Sequence, residues 1–167
     1  MSTQQFQGPV EFLDEIKVDA KKIQGALVNV ISVGNATTTL RKDQSGSYCL
    51  FDNAAASNVI LPAPEAGLEY TFITTVTATA DHVIKTGTLD TDGFLGGVVS
   101  VSAGASADSF AADADGSNDH ITLNGSTTGG IAGTRIHVCC IDGENWAVDG
   151  QVLTTGTSAT CFGDAQI

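Results

Sequence analysis

An all-β fold, a sandwich or barrel of antiparallel strands, is predicted by three features of this 167-residue chain. Val, Ile, Leu and Phe recur at strand-like spacing along nearly its whole length. Many of the runs they form are rich in β-branched residues, which suit a pleated and half-buried surface. Between the runs stand Asp92-Gly93, Asn124-Gly125, Gly129-Gly130 and Asp142-Gly143, pairs that favour tight turns. Many short strands with Gly-rich turns at near-regular spacing suit a single β domain.

Taken in order, Met1–Gln5 is a polar leader and Phe6–Phe12 reads as extended, with Pro9 after Gly8 in a turn or edge position. Leu13–Ile23 fits two patterns. Leu13, Ile16, Ala20 and Ile23 fall at helical spacing, whereas Ile16-Lys17-Val18-Asp19-Ala20 alternates as a strand does. Gly25–Val33 is a β-branched run bounded by Gly25 and Gly34. Strands are then expected at Thr37–Leu40, Tyr48–Phe51, Val59–Leu61 and Leu68–Ala78, with a turn at Asp43–Ser47 and a stop at Pro62–Pro64. Further strands are expected at His82–Thr86, Phe94–Val101, His120–Leu123, Arg135–Ile141, Trp146–Val148 and Val152–Thr154. Ser102–Asn118 is low in complexity, rich in Ala, Ser, Gly and Asp, and reads as a surface loop. No internal repeat stands out.

The small side chains predict a thin core per chain. Burial between identical subunits would offset that, so a homo-oligomer is expected. The formal net charge of −12 argues against a nucleic-acid surface, which needs a basic patch. Beyond Lys42 only Lys85 and Arg135 oppose a long series of acids, so the body is acidic and the N-terminal segment nearly neutral. Two uses of that asymmetry stand open: solubility of a crowded, self-repelling protein, and docking through the less acidic segment. No apolar run is long enough to span a bilayer, and no signal peptide is evident, so synthesis in the cytoplasm without export is expected.

Candidate chemistry is sparse. Cys49, Cys139, Cys140 and Cys161 lack a CxxC spacing, and adjacent Cys139 and Cys140 would point to opposite faces of a strand. They read as reduced core residues, with a Cys49 disulfide to one of the pair left open. His82, His120 and His137 lie in separate strands with no nucleophile motif beside them. His137 and Cys139 share a face but need further ligands to hold a metal. Asp113, Asp115 and Asp119 form the best metal-like string, since alternate carboxylates can wrap a hard cation. The bidentate Glu that would complete a calcium loop is missing, and an acidic loop is the simpler reading. Glu65, Glu69 and Glu144 form a carboxylate pair only if folding brings them together. Gly125–Gly133 lacks the Lys of a phosphate loop. No cofactor is expected, and no enzyme.

Two stretches carry a resemblance. LPAPEAGLEYTF at Leu61–Phe72 and GTRIHVCCIDGENWAVDG at Gly133–Gly150 fit the patterns LPxPxxGxxYxF and GDxVxVxxxDGxNWxVxG, with Thr134 where the second has Asp. Together with FQGPV at Phe6–Val10 they resemble small head-decoration, or cement, proteins of tailed bacteriophages and related virion proteins, over roughly Ser45 to Gly150. The resemblance implies a β-rich subunit, often a homotrimer, on the outside of an icosahedral capsid. There it would staple neighbouring major capsid protein subunits against the pressure of packaged DNA. It also favours extended structure near the N-terminus, which divides the chain into a docking arm, residues 1–33, and a β body, residues 34–167. Phe6, Pro9, Val10, Phe12, Leu13 and Ile16 are then the expected capsid or subunit contacts, and Tyr70, Phe72 and Trp146 the core or trimer-interface positions. The competing reading is a tail-fibre or receptor-binding module that recognises a host surface glycan.

Overall fold

A computed structural model describes residues 28–89, 91–102 and 106–164. Two β-sheets enclose one hydrophobic core, and the described residues contain no α-helix. The strands are β1 (Val30–Val33), β2 (Thr37–Thr39), β3 (Ser47–Phe51), β4 (Ser57–Ile60), β5 (Glu69–Thr74) and β6 (His82–Lys85), with a 3-10 turn at Lys42–Gln44. They continue as β7 (Phe94–Ser102), β8 (Ala107–Ala111), β9 (His120–Leu123), β10 (Arg135–Cys140), β11 (Trp146–Thr154) and β12 (Phe162–Gly163). The seven-stranded sheet runs β1-β3-β5-β10-β11-β7-β8, and the five-stranded sheet β12-β9-β6-β4-β2.

The expected antiparallel architecture is corrected by this topology. From β1 to β6 the chain alternates between sheets, so β1, β3 and β5 pair in parallel in one sheet. Strands β2, β4 and β6 do the same in the other. These are three stacked turns of a two-sheeted coil. Parallel pairing is possible because each strand returns beside its predecessor only after crossing through the opposite sheet. Antiparallel pairing takes over where β9 joins β6 and where β10 inserts between β5 and β11. Strand β11 then lies parallel to β7 over nine registered pairs.

The coil is a structural repeat without a sequence repeat. What recurs is an inward-facing register position, filled by a side chain on every strand of the row but β11, where it is Gly150. In the larger sheet Ile31, Cys49, Phe72, Ile136, Gly150, Val98 and Phe110 form one such row. In the smaller sheet Thr38, Val59, Ile84, Ile121 and Phe162 form another. Strand β3 shows the alternation that makes this work, with Ser47, Cys49 and Phe51 buried and Tyr48 and Leu50 only partly so. Phe51 of one sheet stacks on His82 of the other, ring centroids 4.5 Å apart and 8° from coplanar. Trp146, Tyr70 and Phe72 lie in the core of the single chain, Trp146 6.0 Å from Tyr70 between ring centroids.

Several element boundaries differ from expectation, β5 ending at Thr74 and not at Ala78 among them, and three of the differences bear on the architecture. The Ser102–Asn118 stretch is not wholly loop, since β8 lies within it and pairs with β7. Trp146–Val148 and Val152–Thr154 belong to one strand, because Asp149-Gly150 stays extended. A Cβ at Gly150 would lie 2.5 Å from the Arg135 carbonyl oxygen, so glycine there serves a close strand approach and not a turn. The last residues given to the arm, Val30–Val33, form the edge strand β1, with Val33 fully buried. Met1–Ala26 and Leu27 lie outside the described residues, and so do the expected contacts Phe6, Pro9, Val10, Phe12, Leu13 and Ile16.

Candidate functional site

The outer face of the larger sheet is polar at its centre, and register explains how. Val30, Tyr48, Thr71, His137 and Asp149 sit opposite one another across β1, β3, β5, β10 and β11. The neighbouring row places Ile73, Arg135 and Gln151 side by side, and Glu69 opposes Cys139. Between these rows lies a groove of about 560 Å³ whose walls include Tyr48, Glu69, Arg135, His137, Asp149 and Gln151. A groove of that size is within the range of small-ligand sites.

His137 is fixed at the middle of the groove. Its Nδ1 lies 2.9 Å from Asp149 Oδ1 and its Nε2 3.6 Å from Glu69 Oε2. The ring is 28% exposed while both carboxylates are mostly exposed, so the histidine is the anchored member and the acids face solvent. Strand pairing sets this geometry: Asp149 is the direct cross-strand partner of His137, and Glu69 its diagonal neighbour. Cys139, two residues along β10, lies on the same face. Burial, with Asp149 and Glu69 adding like charge, pushes its thiol up. It is therefore a poor nucleophile.

The other singled-out residues do not assemble with this groove. Asp115 caps its own loop, accepting the Ser117 backbone N–H at 3.1 Å, and Asp113 accepts the Asn118 side-chain amide at 3.3 Å. Asp119 is buried and its Oδ1 lies 2.9 Å from His120 Nδ1. Among the described residues no three His, Cys, Asp or Glu side chains are placed to hold a metal ion, and Asp113 and Asp115 are engaged within their own acidic loop while Asp119 turns inward to His120. His82 is wholly buried against Phe51. Glu65 reaches Lys42 Nζ at 2.6 Å, and Glu144 stands in the β10–β11 turn. All four cysteines are free thiols. Cys49 and Cys140 lie on strands separated by β5, with Cys49 level with Ile136.

Thr134, at the position where the virion pattern has Asp, is buried and structural. Its Oγ1 accepts the backbone N–H of Gly130 at 3.3 Å and of Leu153 at 3.0 Å. Sequence reasoning missed Tyr48, Arg135, Asp149 and Gln151 as neighbours. Period-two alternation was sufficient to set Arg135, His137 and Cys139 on one face, but cross-strand register has no local signature.

No protein family, curated protein or solved structure matches this chain. Among the described residues no helix is long and apolar enough to cross a membrane.

Proposed function

We propose that this is a structural virion protein that binds the outer surface of a tailed-phage capsid as a homotrimer and stabilises contacts between major capsid protein subunits. The observation that carries the reading is one end of the coil. Among the described residues strands β1 and β2 are both edge strands, they lie at the same end of the stack, and β1 is the first element after the N-terminal segment. A sheet edge with no partner among the described residues offers a row of backbone donors and acceptors to a further strand. Such pairing adds binding without requiring any particular side chain, and several copies per trimer turn weak contacts into avid attachment. The resemblance at Leu61–Phe72 and Gly133–Gly150 and the acidic body support the same reading, since like charge keeps densely decorated particles apart.

The test is deletion of residues 1–23. The shortened protein is expected to keep the melting temperature and far-ultraviolet spectrum of the full chain while losing attachment to expanded heads. Decoration by the shortened protein would overturn the role given to the arm. Copy number per virion, from gel densitometry, separates capsid decoration from a tail-fibre module present in few copies.

A further inference from the structure

We infer that the groove on the outer face of the larger sheet is a binding site for a neutral oligosaccharide, independently of how the protein attaches to a particle. The groove spans β3, β5, β10 and β11, about 14 Å between the outer two strands at ordinary strand spacing. That is room for a short glycan segment lying across the strands. Its walls present acceptors at Glu69 and Asp149, donors at Arg135, and both at Gln151 and the Tyr48 hydroxyl. A sugar hydroxyl donates and accepts at once, so a surface that alternates the two suits it better than one of either kind.

Charge narrows the ligand further. Two exposed carboxylates beside a single guanidinium, on a chain of formal net charge −12, repel a polyanion. His137 contacts both Glu69 and Asp149, so the two carboxylates are already engaged by one imidazole and do not stand as a vacant pair for a cationic group. An apolar ligand would strip water from these charged groups without replacing their hydrogen bonds. Tyr48, half-buried on β3, supplies an accessible aromatic side chain beside the polar groups. The lining residues named here lie on paired strands, so little backbone ordering is required on binding.

The full chain should be screened on an array of neutral glycans, and the best hit measured by calorimetry and by amide shift mapping. Binding is expected, with shifts centred on Thr71, His137 and Gly150. Gln151→Ala, at an exposed position, and Tyr48→Ala should each weaken it by about tenfold or more. The Gln151 variant should retain the parent melting temperature, which separates lost binding from lost folding. Asp113→Ala, in the acidic turn, should bind as the parent does. The inference is overturned if no neutral glycan binds, if Gln151→Ala and Tyr48→Ala leave binding unchanged, if Asp113→Ala abolishes it, or if oligolysine occupies the groove while neutral sugars do not.

Discussion

Phe51 and His82 stack face to face across the core, joining the two sheets where β3 and β6 approach each other. The imidazole is fully buried and, among the described residues, neither ring nitrogen has a hydrogen-bond partner in good geometry. Burial lowers the His82 pKa, while the nearby Asn53 backbone and Asp81 oppose the shift without overcoming it.

The pH dependence follows from that sign. The unfolded chain takes up a proton on His82 near pH 6.5, whereas the folded chain resists until lower pH. Stability is therefore complete above about pH 6.5 and falls as the pH drops below it, by up to about 1.4 kcal/mol per pH unit. Melting temperatures between pH 7 and pH 5 should decline in the parent and decline less in His82→Phe, which keeps the stacked ring and loses the proton. Identical slopes for the two proteins would remove His82 from the account.

Two glycines separate backbone necessity from mere occurrence. Gly96 holds φ at +105°, and a Cβ there would stand 2.4 Å from the Val148 carbonyl oxygen on the neighbouring strand. Gly96→Ala should cost about 3 kcal/mol or more, from left-handed strain and the clash together. Gly34 has open space and no such conformation. Gly34→Ala should be neutral or stabilising by about 0.4–1 kcal/mol, since it restricts the unfolded chain. Chemical denaturation of the pair checks both signs.

The same contrasts show what was legible beforehand. Strand β9 stands at the residues that alternation marks, His120–Leu123, and β3 departs from its expected span by one residue. Local period-two burial was sufficient there. Strand β8 was hidden because Ala107–Ala111 is a largely exposed edge strand with no apolar stripe. The expected break between Trp146–Val148 and Val152–Thr154 fell at Asp149–Gln151, where a glycine needed for close approach has the same letter as one that interrupts a strand. Parallel pairing was illegible for a topological reason: β3 finds β1 and β5 only through excursions into the other sheet, and no residue in β3 records that. The groove shares this blindness, since His137 meets Asp149 and Glu69 through register alone.

Trp146 is the single tryptophan, fully buried beside Tyr70 at the start of β11. Trp146→Ala should destabilise the chain by about 3–5 kcal/mol through lost burial and the cavity left behind. Tyr70→Phe should cost about 1 kcal/mol, because the Tyr70 hydroxyl donates to the Arg41 carbonyl at 2.9 Å. With one indole reporting, the parent's fluorescence should be blue-shifted when folded and move red in a single transition. Solvent-like emission from the folded protein would contradict the burial of Trp146.

The cysteines give a prediction that reads the fold residue by residue. Burial pushes the Cys49 and Cys161 thiols up to about 12, and both are nearly inaccessible. At pH 8 neither thiolate nor an approach path is available, so alkylation must wait for opening of the sheets. Cys140 faces the core beside Trp146, its cross-strand partner, while its neighbour Cys139 faces the outer side of the sheet. A pulse of iodoacetamide on the native protein should therefore modify Cys139 first and slowly, with Cys49, Cys140 and Cys161 following only in denaturant. Peptide mapping by mass spectrometry separates the four if the protease cuts between Cys139 and Cys140 or if fragmentation localises the label. Early labelling of Cys140 would mean that β10 presents the opposite face, which would move Arg135 and His137 out of the groove as well.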